Sequence, residues 1–452
     1  MNVSHKVPKF LQSALCALGL LNTQLLPGKR CNTVQAPRIS SEGMTEFPIQ
    51  QVRANFPALS NGFIFFDNGA GAQAPRVVLD AVADHLLHRN VQRGGRYRQS
   101  REVDETIARA RGSVAALVNA RYDEEISFGM NATSFMRLVS LAVGQSLGER
   151  REIIVTDLDH ESNIAVWLAL QREGARIVWW HFRSNGRLHP EDLDQLLSPR
   201  TRIVACPLAS NAIGSILDIA DVSRRAHAAG AQVFVDAVHY GPHGAIDVQA
   251  LDCDYLVCSG YKIFSPHMGF LWGRREVLDA LPTFREDFVP DTTPAKMEVG
   301  TYIYENVAGM DAAVRYLEDL GRLVNPNALS RRDALASCGE AIRAYEAQLS
   351  RAMLKVLAEA NATVYGITDG DSLSHRTPTL CFNLRAISPS QVTEQLARQN
   401  IAVRDGHMYS PRLMKRLGLA SESGAVRASL VHYNTLEEVE RFGRALASVR
   451  PE

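Results

Sequence analysis

The sequence of 452 residues lacks the features that mark membrane-spanning and nucleic-acid-binding proteins. The apolar stretch at residues 10–21 is shorter than the roughly 20 residues that a membrane-spanning helix needs. The 49 basic residues equal the 49 acidic residues in number, so no net field favours nucleic acid or an anionic membrane surface. The sequence therefore predicts a chain without a nucleic-acid or membrane partner.

Cysteine is scarce, and its pattern does not suggest pairing. The seven cysteines are odd in number, widely spaced and free of any CxxC motif. This usage favours buried free thiols in a reducing compartment over a disulfide framework. We therefore expect a cytoplasmic protein.

Common nucleotide and zinc motifs are also missing. Neither GxGxxG nor a Walker A loop occurs, which disfavours a nicotinamide or nucleotide enzyme. A metal site is the alternative for His160 and the acids around it, Asp157, Asp159 and Glu161. A metal site is disfavoured because residues this close in sequence rarely converge on a metal without further ligands from distant positions. No HExxH motif is present either. The sequence predicts no metal site.

The N-terminus differs in composition from the rest of the chain. The first 41 residues contain no acid and five basic residues: Lys6, Lys9, Lys29, Arg30 and Arg38. We expect residues 1–43 to form a disordered leader, with Met44 opening the folded chain. A weak targeting segment and a non-native leader are the alternatives.

Between about residues 150 and 275, apolar strand-like runs alternate with helical stretches. The predicted strands are 152–156, 175–180, 201–208, 231–237, 254–259 and 269–273. Three helices are predicted between the first four of these strands, at 161–173, 189–197 and 218–230. Strands that alternate with helices predict βαβ units, an α/β fold and a mostly parallel sheet, and continuous apolar runs indicate strands covered on both faces.

The C-terminal part of the sequence predicts a second, smaller α+β domain. Long helices over 305–360 lead into it. The pattern then predicts strands at 379–384, 401–406 and 426–431 and helices at 389–399, 411–418 and 436–449. The last helix follows a Thr435…Glu438 capping box. We expect a segment 44–75 that joins the small domain, a large domain 76–325 and a small domain 326–452.

Polar side chains cluster where the predicted parallel strands end. They are Asp157, Asp159 and His160 after one strand, Ser210 and Asn211 after another, Asp236 and His239 after a third, and Ser259 and Lys262 after a fourth. Because such sheets bind ligands at the carboxyl ends of their strands, this clustering predicts a functional site there.

A lone lysine and an aspartate at two of these strand ends indicate a particular chemistry. Burying an ammonium is costly, and a lysine in a pocket can lose its proton and form a Schiff base with a carbonyl. Asp236 closes a very apolar strand and would need a cation, such as the pyridinium nitrogen of pyridoxal phosphate. His160 offers a flat ring for stacking. The alternative for Lys262 is a salt-bridged lysine or one that reaches solvent.

A phosphate site is predicted at the start of the helix within residues 128–144. The backbone N–H groups of Ala132 and Thr133 would be free there to hold an anion. A plain N-cap by Asn131 is the alternative.

Taken together, these motifs resemble the class V aminotransferase family of fold-type I pyridoxal phosphate enzymes, and most closely its branch of group II cysteine desulfurases and selenocysteine lyases. The resemblance runs from "FFDNGAGAQAP" (65–75) to "ASLVHYNTLEEVERF" (428–442). It rests on "DHESNI", "ASNAIGS", "VDAVH", "LDCDYLVCSGYK", "IAVRDGH" and "VRASLVHYNT". It implies a mostly parallel, seven-stranded sheet in a large domain beside a small α+β C-terminal domain.

The resemblance implies a role for each matching residue around the cofactor. Lys262 would form the Schiff base with pyridoxal phosphate, Asp236 would pair with its pyridine nitrogen, and His160 would stack on its ring. Asn211 would lie near the cofactor's phenolic oxygen or the substrate carboxylate. Arg427 would bind that carboxylate through its planar fork.

The resemblance also implies a phosphate site and a dimer. The amides of Ala132 and Thr133 and the hydroxyl of Ser259 would bind the phosphate. Thr301 matches a residue that reaches the phosphate from a second subunit, so a homodimer with a shared active site is implied. Arg404 occupies a second arginine position on the substrate side.

Three positions depart from the pattern of the desulfurases. The family often has Gln where His239 stands and His where Tyr261 stands. Tyr409, in "HMYSP", stands where desulfurases carry their sulfur-accepting cysteine. A persulfide needs a thiolate nucleophile, which tyrosine cannot supply. His239, Tyr261 and Tyr409 are therefore the candidates for steering the reaction.

The resemblance therefore predicts an enzyme that deprotonates the Cα of an amino acid with pyridoxal phosphate. The leading prediction is a C–S lyase that acts by β-elimination without a persulfide cysteine. The alternatives are an aminotransferase or an epimerase like isopenicillin-N epimerase. The last alternative is a relative that does not catalyse a reaction but takes part in sulfur trafficking or binds a partner.

Overall fold

The computed structural model describes residues 47–420 and 422–451. Its helices are α1 (Ile49–Ala54), α2 (Arg76–Arg89), α3 (Arg98–Val118), α4 (Ala132–Gln145), α5 (Ser162–Leu168), α6 (Leu193–Leu196), α7 (Ile219–Ala228), α8 (Val248–Leu251), α9 (Arg275–Asp279), α10 (Tyr304–Val324), α11 (Arg331–Glu359), α12 (Pro389–Ala397), α13 (Pro411–Arg416) and α14 (Leu436–Ser448). The leader predicted at residues 1–43 lies outside the described residues.

The strands form three sheets. They are β1 (Ile64–Phe65), β2 (Ile126–Gly129), β3 (Glu152–Thr156), β4 (Arg176–Trp180), β5 (Thr201–Pro207), β6 (Gln232–Asp236), β7 (Tyr255–Ser259), β8 (Gly269–Gly273), β9 (Thr363–Tyr365), β10 (Thr379–Asn383), β11 (Ile401–Ala402), β12 (Arg404–Gly406) and β13 (Ala425–Ser429). The large sheet has seven strands in the order β2-β8-β7-β6-β5-β3-β4. All its neighbours pair in parallel except β8, which is antiparallel to both β2 and β7.

The large sheet is covered on both faces, as its apolar strands predicted. In β7, Tyr255 and Val257 belong to one hydrophobic core, which includes residues of α4. Leu256 and Cys258 belong to another core, which includes residues of α3, α7 and α10. Because successive side chains of a strand point to opposite faces, each face of the sheet packs against its own helices.

A four-stranded antiparallel sheet in the order β12-β13-β10-β9 follows the long helices α10 and α11. It packs with α11, α12 and α14 in a third hydrophobic core. The short strand β1, near the start of the described chain, pairs in parallel with β11. The α/β fold with a mostly parallel sheet is confirmed, whereas the boundaries of the two domains stay a prediction.

Most strand bounds agree with the sequence, and helix ends differ by a few residues. The predicted helix at 161–173 is an α-helix only to Leu168 and continues as a 3₁₀ helix to Glu173. The predicted helix at 189–197 is likewise split between a 3₁₀ turn and α6. Among the described residues, no helix has both the length and the apolar character for a membrane span.

The capping box at the start of α14 is present as predicted. The Thr435 hydroxyl accepts the Glu438 amide at 3.1 Å, and the Glu438 carboxylate accepts the Thr435 amide at 3.2 Å. Two N–H groups that the helix cannot satisfy internally are thus bonded.

We expect Thr435→Ala to destabilise the protein by about 1 kcal/mol, because it leaves the Glu438 amide without its cap. Thr435→Ser keeps the hydroxyl and should stay close to the wild type. The urea midpoint of unfolding, followed by circular dichroism, measures both effects. An alanine variant as stable as the serine variant would contradict the assigned cap.

Candidate active site

Polar side chains from the carboxyl ends of the large sheet line two adjoining cavities of about 40 Å³ and about 950 Å³. The residues that line both cavities are Thr133, His160, Asn211, Ser259, Tyr261 and Lys262. The smaller cavity adds Ala132, Asp236 and His239, and the larger adds Arg404, Tyr409 and Arg427. Of the residues given a role at the site, the structure brings all but Thr301 to these cavities; Asp157 and Ser210 of the predicted strand-end cluster line neither cavity.

Lys262 lies in the 3₁₀ turn directly after β7 and is only 6% exposed. Within residues 47–420 and 422–451 its ammonium forms no ion pair. Burial lowers its pKa to about 8, with Arg427 contributing in the same direction and Asp236 opposing it. The amine is therefore much more easily deprotonated than that of a surface lysine.

Two buried carboxylates stand in the wall of the smaller cavity. Burial raises the pKa of Asp236 to about 6, although a hydrogen bond from the Val238 amide and the charge of Lys262 favour its ionised form. Burial and the neighbouring Asp236 raise the pKa of Asp159 well above its usual range. Hydrogen bonds from the Asn163 side chain at 2.6 Å and from the His160 amide at 2.7 Å act against this rise in the pKa of Asp159. The sequence placed Asp159 in the strand-end cluster and in the disfavoured metal site, and it predicted no other role for this residue.

His160 presents a neutral ring to both cavities. Burial lowers its pKa to about 4, and Lys262 and Arg427 act in the same direction. Its Nδ1 accepts the Ser162 amide at 3.1 Å, so the neutral ring carries its proton on Nε2. Among the described residues, no group of three or more His, Cys, Asp or Glu is placed to hold a metal ion.

The N-terminus of α4 opens into the smaller cavity. Asn131 caps the helix by accepting the Ser134 amide at 2.9 Å, and the Ala132 amide donates to the Ser259 hydroxyl at 3.2 Å. Strand β8 passes close beneath, because a Cβ on Gly269 would lie 2.8 Å from the Ala132 nitrogen. The N-cap by Asn131 is therefore present, and the prediction of a free N–H group on Ala132 is wrong, because the Ser259 hydroxyl accepts it.

Asn211 fastens the loop 407–410 to the large sheet. Its Nδ2 donates to the Met408 carbonyl at 2.7 Å, and its Oδ1 accepts the Ser410 hydroxyl at 3.0 Å. The sequence did not predict this contact, because it joins positions almost 200 residues apart. Its predicted role toward cofactor or substrate stays a prediction.

The same loop holds Tyr409 in an unusual backbone conformation. Met408 and Tyr409 have φ values of 51° and 59°, the left-handed region that residues other than glycine rarely adopt. The Glu161 amide donates to the Tyr409 carbonyl at 2.8 Å, and the Tyr409 ring lies 5.6 Å from the His160 ring. Such strain persists only where surrounding contacts enforce it, and it concentrates at functional sites.

Asp67 joins the two arginines that were predicted on the substrate side. Its carboxylate lies 2.8 Å from Arg404 Nη2 and 3.1 Å from Arg427 Nη2. The Nη1 of Arg427 donates to the Asn211 carbonyl at 2.9 Å. The sequence missed Asp67 as a partner, although "FFDNGAG" was among the motifs, because no local pattern relates it to arginines more than 300 residues away.

Tyr261 and Thr301 occupy different places. The Tyr261 ring stacks on His267 at 5.1 Å and lines both cavities. Thr301 is exposed, and its hydroxyl accepts the Gln92 amide at 2.7 Å outside the cavity walls. The resemblance implies that Thr301 reaches the phosphate of a second subunit's cofactor, and this role stays a prediction.

The described cysteines provide no sulfur nucleophile. They are Cys206, Cys253, Cys258, Cys338 and Cys381, and all are buried and free. Burial raises the pKa of each thiol. None of them lines either cavity, so within the described chain no thiolate faces the site.

Comparison with known proteins gives consistent matches. A family model described as aminotransferase class-V matches residues 64–442. A cysteine desulfurase of Synechococcus elongatus is 33% identical, covering 96% of this chain and 69% of that protein. An aminotransferase-like protein of Gibberella zeae is 34% identical, covering 90% and 99%. The apo structure of a cysteine desulfurase from Thermococcus onnurineus has a TM-score of 0.79 at 28% identity, covering 90% and 99%.

We expect Asn211→Ala to loosen the loop 407–410, because it removes both side-chain hydrogen bonds that hold the strained turn. Amide hydrogen exchange of peptides covering the loop should accelerate roughly tenfold, the effect of one to two net hydrogen bonds. Ser410→Ala removes only one of the two bonds and should give a smaller increase. Exchange unchanged in both variants would show that the loop does not depend on Asn211.

The lowered pKa of Lys262 predicts how covalent capture of pyridoxal phosphate depends on pH. Attack needs the unprotonated amine, so the rate should rise with pH about a midpoint of about 8. Asp236→Asn removes a charge that stabilises the ammonium and should move the midpoint lower. Borohydride trapping followed by mass spectrometry measures the rate and locates the label. A midpoint near that of free lysine, or a label on Lys296, would contradict the assignment.

Proposed function

The chain belongs to the aminotransferase class-V family of pyridoxal phosphate-dependent enzymes, and within that family we propose that it is a C–S lyase that acts by β-elimination without a persulfide cysteine. The matches bear out the family, the fold and the cofactor that the sequence motifs predicted. The reaction type, the substrate and the residue roles are the proposal.

One observation carries the proposal: within the part of the chain that the structure describes, the cavity wall holds a buried amine without an ion-pair partner and holds no thiol. The amine of Lys262 supports the chemistry that the family shares. The absence of a thiol from the cavity wall, with the described cysteines all buried elsewhere, speaks against transfer of sulfur to the protein.

The polar groups of the smaller cavity fit pyridoxal phosphate. Lys262 would hold its carbonyl carbon, Asp236 its pyridine nitrogen, and Thr133 and Ser259 its phosphate at the start of α4. When bound, the cofactor supplies an electron sink for the charge that develops at the substrate Cα. The neutral ring of His160 adds a flat surface without competing for a proton.

The residues of this chain would move the protons and hold the substrate. With a pKa of about 8, Lys262 would act as the base that takes the Cα proton near neutral pH. Arg427 is fully desolvated and would bind the α-carboxylate with its planar fork. Asp67 fixes Arg427 and Arg404 beside each other and offsets one of their two charges.

Elimination needs no nucleophile from the protein. When the Cα proton has gone to Lys262, the electron pair of the Cα–H bond would form a Cα=Cβ double bond while the Cβ–S bond breaks, and the pair of that bond would leave with the sulfur as a thiolate. The larger cavity, of about 950 Å³, leaves room for that group beside Tyr409 and His160. A tyrosine held rigidly over the cavity would exclude water without accepting sulfur.

An aminotransferase is the second candidate, favoured by one observation. The relative from Gibberella zeae, which this chain matches over 99% of its length, is described as aminotransferase-like. Deprotonation at Cα is common to both reactions. They differ in whether a group leaves Cβ or a proton is added at the cofactor.

We further propose that two copies of the chain share the site. Thr301 is exposed and lies two residues before Ile303, which lines the larger cavity. Met130 lines the same cavity and is 59% exposed, and Val299 nearby in sequence is 69% exposed. A second copy would cover these apolar side chains and bring its own Thr301 towards the cavity.

The test of the reaction type is to incubate the loaded enzyme with cysteine, cystine and alanine and to assay sulfur products, pyruvate and amino transfer. We expect pyruvate with sulfide from cysteine or a sulfur-bearing fragment from cystine, no persulfide on the protein, and no turnover of alanine. Lys262→Ala should abolish all reactions. Tyr409→Cys supplies the missing thiol and serves as a positive control for the persulfide assay.

Each alternative has its own result in that assay. Amino transfer to a keto acid would identify an aminotransferase, and loss of optical activity without new product would identify an epimerase. A persulfide on the wild-type protein would refute the proposed role of Tyr409. Failure of every amino acid to change the visible spectrum would point to a partner-binding protein without catalysis.

A further inference from the structure

We propose that Thr379 is a positioning residue that fixes the tautomer of His239, so that this histidine presents an N–H donor to the cavity. The inference depends on the proposed function only for the identity of the group that receives this hydrogen bond. It assigns a role to a threonine of the smaller sheet that no sequence motif singled out.

The contact between the two residues is buried and joins the two sheets. His239 follows β6, is 3% exposed and lines the smaller cavity beside Asp236 and Lys262. Its Nε2 lies 2.9 Å from the hydroxyl of Thr379, the fully buried first residue of β10. The hydroxyl of Thr377 is farther from the same nitrogen, at 3.5 Å.

Counting hydrogens decides which atom donates. The Thr377 hydroxyl has its own acceptor, the Gly214 carbonyl at 3.4 Å. Within the described residues the Thr379 hydroxyl has no hydrogen-bond partner other than His239 Nε2. A buried hydroxyl left without an acceptor is costly, so Thr379 donates to Nε2. Nε2 is then the unprotonated nitrogen.

The surroundings of His239 keep its ring neutral. Burial lowers its pKa well below the usual value, and His243, Lys262 and Arg427 add to this effect. His243, whose ring lies 5.4 Å away, is itself bonded through Nδ1 to Glu346 at 2.9 Å, and burial lowers its pKa to about 3. A neutral ring with Nε2 unprotonated carries its single proton on Nδ1.

The remaining N–H, on Nδ1 of His239, has no hydrogen-bond partner among the described residues, and the ring lines the cavity. When an N–H group donates to an oxygen of a bound molecule, it stabilises the anionic form of that oxygen and lowers the pKa at which the oxygen loses its proton. Without the Thr379 hydroxyl, the proton could move to Nε2, and Nδ1 would face the cavity as an acceptor.

Neutron diffraction from deuterium-exchanged crystals without cofactor tests the tautomer directly. We expect deuterium on Nδ1 of His239 and on the Thr379 hydroxyl, with none on Nε2. Deuterium on Nε2 would overturn the proposal, whatever the protein does with pyridoxal phosphate.

The loaded enzyme gives a second readout in the pH titration of the visible band of the lysine-bound cofactor. Thr379→Val removes the hydroxyl at almost equal volume and should raise the titration midpoint by about one pH unit, the equivalent of one hydrogen bond. Thr379→Ser should restore the wild-type midpoint. Thr377→Val, which removes the more distant hydroxyl, should leave it unchanged.

A double variant separates tautomer control from a general loss of packing. Glutamine in His239→Gln donates through its amide and has no tautomer to select, so adding Thr379→Val should have no further effect. An equal shift in both backgrounds, or no shift in Thr379→Val alone, would overturn the proposal. If the wild type forms no visible band, the proposed function fails, and the neutron result still decides the tautomer.

Discussion

The rest of the site depends on the amine of Lys262, which is buried and forms no ion pair with any described acid. Burying a charged ammonium is costly, so a fold that keeps this lysine must either pair it or let it lose its proton. Asp236 lines the same cavity without forming an ion pair with it, and Arg427 works against the charge. The groups around the cavity are those that a carbonyl-bearing, phosphorylated ring would engage. These surroundings support the proposal that Lys262 binds the cofactor covalently.

The site is assembled from the large sheet and the four-stranded sheet. The large sheet contributes Lys262, Asp236 and His160 at the carboxyl ends of β7, β6 and β3, while the four-stranded sheet contributes Arg404 on β12 and Arg427 on β13. Contacts across this boundary hold the loop 407–410 to the large sheet and bring its tyrosine against the ring of His160. The position where the sequence predicted a departure from desulfurases is thus built with strain and anchoring contacts. The proposal of elimination without a persulfide depends on this position, because a tyrosine cannot accept sulfur as a thiolate can.

Sequence reasoning identified those parts of the site that local patterns encode. Asp236 ends an apolar strand, and Lys262 and His160 lie in the turns directly after two others, so the rule for parallel sheets was enough to bring them together. The capping box at Thr435 could also be predicted, because its two residues, Thr435 and Glu438, lie in one short stretch of sequence. Asp67 and Thr379 were missed because their partners lie more than 100 residues away in sequence and become neighbours only when the two sheets pack. The anchoring role of Asn211 was missed likewise, and the conformation of Tyr409 depends on contacts that no motif records.

The central claim is that Lys262 holds the cofactor covalently in the cavity between the strand ends. The most direct measurement is the visible spectrum of wild-type protein and the Lys262→Ala variant after loading with pyridoxal phosphate and exhaustive dialysis. The account predicts that the wild type keeps the band of the lysine-bound cofactor and that the variant loses it while remaining folded by circular dichroism. A variant that keeps the same band after dialysis would contradict it.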